Sequence, residues 1–138
     1  MKTYPDVTVG ETLPELSIPL TRTLIVATAI ASRDYQDVHH DPELAVRRGS
    51  KDVFMNILTT GGLVDRYVTG WAGPAARVKA IRIRLGVPNY PGDTMVLTGE
   101  VTAKHDGDRR VEIAVRGTNA LGPHVTGTVE ITLPGEES

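Results

Sequence analysis

The feature that most constrains this chain is a change of period at Gly73-Pro74. Before it, Val53, Ile57, Thr60, Val64 and Val68 recur at helical spacing. Phe54, Met55, Leu58 and Leu63 widen that stripe until little polar face remains before Asp65-Arg66. The spacing predicts one long helix, capped by Ser50 and ending near Gly70. A helix this apolar must be enclosed. Gly61-Gly62 inside it costs about 1 kcal/mol per glycine relative to alanine, and would let another backbone come close. After the break, residues 77–85 alternate as a strand, with a slip at Ala80-Ile81 that predicts a bulge. Residues 94–104, 110–118 and 124–133 read as three further strands. The turns 88–93, 106–108 and 119–123 join them. One buried helix followed by four long antiparallel strands is an α+β plan in which the sheet wraps the helix. Long strands leave edges, so pairing of sheets between subunits is expected.

The chain before the helix is made of short pieces. Residues 1–19 are polar and marked by Pro5, Pro14 and Pro19, with short edge strands at 7–9 and 16–18. Residues 21–26 are β-branched and read as a strand, and 27–32 as a short helix. Asp41-Pro42 opens a second short helix over 43–48, closed by Gly49. The tail 134–138 is expected to fray. No repeat or linker interrupts the chain, which reads as a single domain over 1–138. Aromatics are 4% of the residues, so the core must be aliphatic. The net charge of −2, with no basic tract, argues against nucleic acid. No run of apolar residues is long enough for a membrane, and Lys2, Pro5, Asp6 and Glu11 do not form a signal peptide. The lack of cysteine removes disulfides, thiolate metal sites and a Cys nucleophile, and fits the cytoplasm.

The chemistry is concentrated in Ser32-Arg33-Asp34-Tyr35-Gln36-Asp37-Val38-His39-His40-Asp41-Pro42. Asp34 and His39 would lie on different faces of a helix, so they converge only if the chain turns between them. An Asp and a His across a turn can hold and deprotonate a water, or pass a proton to carbon. The bland reading is a polar surface turn with Asp41 as a helix cap. Asp37 reads as a turn residue, His40 as structural or solvent-facing, and Arg33 as free to pair with Asp37 or reach a ligand. A metal site from His39, His40 and Asp41 is disfavoured, because adjacent ligands seldom converge on one ion. His105 and His124 carry no partner pattern.

These residues resemble the signature of the MaoC-like (R)-specific enoyl-CoA hydratases, a hot-dog family, which runs Gly-Asp-x-Asn-Pro-(Leu/Ile/Val)-His with a small residue six positions later. Asp34, Val38, His39 and Ala45 match it, while Arg33, Gln36 and Asp37 replace its Gly, Asn and Pro. Val87-Pro88-Asn89-Tyr90-Pro91-Gly92-Asp93-Thr94 looks like the family's Pro-x-x-Pro-Gly-Asp-Thr turn. The family's His-Gly pair on the central helix falls at Asn56 and Ile57. With 34–41 and Gly49-Ser50-Lys51-Asp52, the pattern resembles one branch in particular. That branch is the small subunit of the heteromeric enoyl-CoA hydratases of bacterial steroid side-chain degradation.

The resemblance implies a hot-dog fold and hydration of an enoyl-CoA thioester by Asp34 and His39. Backbone N–H groups near Asn56 and Ile57 would hold the thioester oxygen. It implies no cofactor beyond the CoA of the substrate. It also implies a second hot-dog subunit with an added zinc-ribbon and OB-like domain, which recruits an aldolase. Arg82 and Arg84 could meet a CoA phosphate, or simply form a solvated strand face. The rivals are a homodimeric short-chain hydratase, a non-catalytic complex subunit, and a hot-dog thioesterase using Asp52 or Asn56.

Overall fold

The computed structural model describes residues 2–136. Its one sheet has five antiparallel strands: β1 (Thr12–Pro19), β2 (Arg77–Leu85), β3 (Thr94–His105), β4 (Arg110–Asn119) and β5 (Gly122–Thr132), in the order β1-β3-β4-β5-β2. The strand at 16–18 is thus part of a longer β1, which pairs with β3 and adds a fifth strand to the four expected. The strand expected at 7–9 does not form; Tyr4–Asp6 is a 3-10 turn. The bulge in β2 falls between Val78 and Ala80.

The sheet curls around the helix α3 (Ile57–Ala72). Val64, Val68 and Ala72 of α3 are fully buried with Met95, Leu97, Val101, Ile113, Val129 and Ile131 of the sheet. This is the hot-dog plan. On β2, Ile81 and Ile83 pack against the core, and a methyl placed on Gly61 would lie 3.8 Å from Ile83 Cδ1. A methyl on Gly62 would meet nothing within 4 Å, so within this chain the glycine pair serves no close backbone approach.

Two boundaries differ from the sequence reading, and both shape the site. The β-branched stretch after Thr21 is not a strand. It belongs to α1 (Arg22–Ala31), whose N-cap Thr21 accepts the Leu24 N–H at 3.0 Å. Ile25 and Ala29, one turn apart, are fully buried, so tertiary packing selects the helical period over the β propensity. The long helix starts not at Ser50 or Val53 but at Ile57, with Asn56 as its cap. Residues 53–56 form an extended strap, with Val53 and Met55 buried. The strap is fastened by Phe54 N–H to Val38 O (3.1 Å) and Met55 N–H to Asn89 O (3.1 Å). Between α1 and the strap run a 3-10 turn at Asp37–His39 and α2 (Pro42–Arg47). α2 is capped by Asp41 and closed by Gly49, whose φ is +95°. Of the tail, Pro134 O accepts the Tyr4 N–H at 2.8 Å rather than fraying; positions 137 and 138 lie outside the described residues. Among the described residues, no helix is long and apolar enough to cross a membrane.

Candidate active site

Three pieces of chain converge at the start of α3: the end of α1, the 3-10 turn and the strap. α1 ends in a Schellman motif, with Asp34 N–H bonded to Ala29 O (2.9 Å) and Arg33 N–H to Ile30 O (3.0 Å). This turns the chain so that Asp34 leaves the helix toward His39. Arg33 sits in the left-handed region at φ +56°, the conformation glycine takes freely. The resembled signature has glycine there, and the structure shows why.

His39 is buried. Its Nδ1 lies 2.6 Å from Phe54 O, and its ring meets the Phe54 ring edge-on at 4.9 Å. A carbonyl only accepts, so the Nδ1 carries the proton and Nε2 of the neutral ring presents a lone pair. That Nε2 lies 3.4 Å from Asp34 Oδ2. With the ring in that form both facing atoms are acceptors. A water donating one hydrogen to each satisfies both.

The Asn56 side chain completes the group. Its Oδ1 accepts from Thr59 N–H (3.0 Å) and Thr59 Oγ1 (2.5 Å), and its Nδ2 donates to Ser32 Oγ (3.0 Å) and Asp34 Oδ2 (3.1 Å). The backbone N–H groups of Asn56, Ile57 and Leu58 have no partner among the described residues. They stand at the positive end of the α3 dipole, next to the Asp34–His39 pair.

The other polar residues of the cluster are structural in this chain. Asp37 is held by Arg48 through two 2.7 Å bonds, and that hydrogen-bonded pairing keeps its carboxyl below the usual range. Arg48, not Arg33, is its partner. Asp41 caps α2 through Leu44 N–H at 3.1 Å. His40 Nε2 lies 3.1 Å from Tyr35 O. Asp52 forms a bidentate pair with Arg22 at 2.8 Å, which ties the strap to the start of α1. Arg82 and Arg84 alternate with the core-facing Ile81 and Ile83, so they project from the other side of β2; Arg82 lies 3.6 Å from Glu130. The structure does not bring either to the Asp34–His39 pair. Among the described residues, no group of His, Asp and Glu is arranged to hold a metal.

Three contributors take roles that the sequence pattern does not assign. The Asn56 side chain was legible as a cap from Asn-x-x-Thr before an apolar run, but Ser50 competed for that role. The Phe54 carbonyl that sets the His39 tautomer leaves no trace in sequence. His124, read as unpartnered, bonds Val87 O through Nδ1 (2.6 Å) and Thr60 Oγ1 through Nε2 (2.8 Å), joining β5 to α3 beneath the site.

Residues 6–121 match the model of the MaoC like domain. The chain belongs to the MaoC-like family. A relative in Mycobacterium tuberculosis, the 3-oxo-4,17-pregnadiene-20-carboxyl-CoA hydratase beta subunit, is 57% identical over 91% of this chain and 95% of its own length. A chain of the ChsH1-ChsH2 complex from the same organism superposes with a TM-score of 0.88 at 56% identity, over 91% of this chain and 98% of that one. The R-hydratase PhaJ1 from Pseudomonas aeruginosa superposes equally well, with a TM-score of 0.88 at 26% identity, over 97% of this chain and 86% of that one.

Proposed function

We propose that this protein is the Asp/His-bearing subunit of a heteromeric hydratase. It adds water to the α,β-unsaturated thioester of a steroid side-chain acyl-CoA. The observation that carries the chemistry is the pair of lone pairs at Asp34 Oδ2 and His39 Nε2, facing each other 3.4 Å apart beside the N-terminus of α3. The steroid substrate rests on the 57% identity to a pregnadiene-carboxyl-CoA hydratase subunit.

An enoyl thioester is electron-poor at its β carbon. Asp34 orients the water, and His39 Nε2 takes one of its protons as the oxygen bonds to that carbon. The electron pair of the double bond moves through the α carbon onto the thioester oxygen. The free N–H groups at Asn56, Ile57 and Leu58 are the donors available to that oxygen, aided by the helix dipole. The imidazolium then returns the proton to the α carbon from the same face, giving syn addition. No electron leaves or enters, so the reaction calls for no redox cofactor, and CoA comes with the substrate.

A second subunit is part of this reading. β2 is an unpaired edge of the sheet, and Val78 and Leu85 on it are exposed, as are Ile57 and Leu58 beside the site. A long CoA thioester needs walls that one small fold does not supply. We take the partner to be a second hot-dog protein with an added zinc-ribbon and OB-like domain, through which an aldolase is recruited. The reading also keeps the cytoplasm as its location, in line with the absence of cysteine.

The test is loss of the conjugated enoyl-thioester absorbance, with a steroid enoyl-CoA and a crotonyl-type thioester. It is run with this chain alone and with the partner. Hydration of the steroid thioester only in the complex supports the proposal. Hydration of the short thioester by this chain alone replaces it with a homodimeric hydratase. Release of free thiol without hydration overturns it in favour of a thioesterase.

A further inference from the structure

Asn56 is 2% exposed, and its side chain is fully used. An amide has two N–H donors and two carbonyl lone pairs. Both donors go to Ser32 Oγ and Asp34 Oδ2, and both lone pairs are taken by the N–H and hydroxyl of Thr59. The amide orientation is not a free choice, because the Thr59 N–H can only donate and therefore faces Oδ1. Ser32 cannot release its share, since its own hydroxyl hydrogen is directed to Thr28 O at 2.7 Å. Nothing in this side chain remains for a substrate. Asp34 Oδ2 is the same atom that faces His39 Nε2, while Oδ1 accepts the Gln36 N–H at 3.3 Å.

We propose that Asn56 is a positioning residue: its amide locks the Asp34 carboxylate to the first turn of α3, so that one oxygen is shared between Asn56 and the water that Asp34 and His39 hold. This rests on the hydratase reading and adds to it. The cap of α3 and the alignment of Asp34 are then one device. The free N–H groups of α3 and the water-holding carboxylate keep a fixed relative geometry, as a reaction needing both at once requires.

Asn56→Asp separates the two halves of that device. Aspartate caps a helix as well as asparagine does, so the bond from Thr59 N–H survives. It cannot donate to Asp34, and instead places a second carboxylate against it. In the assembled complex, Asn56→Asp is expected to lower kcat about 100-fold with KM within twofold of wild type. A rise in KM at unchanged kcat would overturn the proposal and make Asn56 a substrate contact. Wild-type kcat in Asn56→Asp would also overturn it and leave a cap alone. Thermal melting of the full chain reads the contact without any activity. Asn56→Asp is expected to melt lower than wild type, and Asp34→Asn/Asn56→Asp, which exchanges donor and acceptor, to regain the part of that loss that comes from the Asp34 contact, while the bond to Ser32 Oγ stays lost. If the swap regains nothing, the amide–carboxylate contact is refuted. Failure of the wild-type complex to hydrate any enoyl thioester would instead sink the hydratase reading, with the melting series still deciding the contact.

Discussion

Asp34 Oδ2 and His39 Nε2 lie 3.4 Å apart, and the neutral imidazole has no proton to place between them, because Nδ1 uses it on the Phe54 carbonyl. In the proposed hydration both groups act on one water. Asp34→Asn and His39→Ala are each expected to lower kcat by about 10²–10⁴ per folded enzyme; His39→Ala is also expected to melt lower, because it empties a buried site and leaves the Phe54 carbonyl without its donor. The double variant should be less than tenfold worse than the weaker single one, roughly, because residues acting as a unit are not additive. Steady-state rates on the complex check this; a multiplicative double loss would mean that the two residues serve separate steps.

Arg33 holds φ at +56° at the close of α1, is exposed, and has no ion-pair partner among the described residues. Arg33→Gly removes the left-handed strain but gives the unfolded chain more freedom. The net expectation is a gain of about 0.5–1 kcal/mol, or about 2–4 °C in melting temperature. A fall in stability would show that the arginine side chain holds the turn.

Gly127 faces Ile83 across β5 and β2, and a methyl on it would lie 2.3 Å from the Arg82 carbonyl oxygen. A backbone atom in a paired strand cannot step aside cheaply. Gly127→Ala is expected to destabilise the protein by about 3 kcal/mol, read by urea unfolding. Gly62→Ala is the control: nothing lies within 4 Å of its added methyl, and a small gain from helix propensity is expected.

Burial lowers the His124 ring below its ordinary 6.5, only partly offset by its bond to Val87 O. The groups facing it, the Thr60 hydroxyl and the Val87 carbonyl, are both uncharged. As pH falls through 6.5, the unfolded ring takes a proton that the folded ring resists. Stability is therefore whole above that value and declines below it, toward the depressed folded value. Melting temperatures between pH 7.5 and 5 should fall, and His124→Gln should flatten that slope. A second loss belongs to lower pH, where Asp37 and Asp52 are protonated: hydrogen bonds from Arg48 and Arg22 keep their carboxyls below the usual 3.8, so their contribution disappears as pH drops through the depressed values.

Arg82 and Arg84 lie on the side of β2 away from the core-facing isoleucines, and Arg82 is near Glu130. Exposed pairs of this kind contribute roughly 0–1 kcal/mol. Arg82→Ala and Arg84→Ala are expected to change KM for the enoyl-CoA less than twofold. A tenfold rise in either variant would put the CoA phosphates on that face.

Local and repeated signals along the chain specify much of this fold. Alternation over β2 to β5 and the apolar stripe of α3 fix which faces are buried, because burial period follows directly from strand and helix geometry. Asp34 and His39 were legible for a different reason: the signature spacing survives intact although three of its residues have changed. Where local preference is weak or opposed, long-range packing decides the outcome. The β-branched run after Thr21 became a helix because Ile25 and Ala29 fill the core one turn apart. The start of α3 moved from Ser50 to Asn56 because Val38 and Asn89 hold the strap extended, and no neighbour in sequence reports that. The His39 tautomer and the Asn56 grip on Asp34 depend on hydrogen bonds between residues distant along the chain. Such contacts exist only once the chain is folded, and they set which atoms of the visible pair can do chemistry.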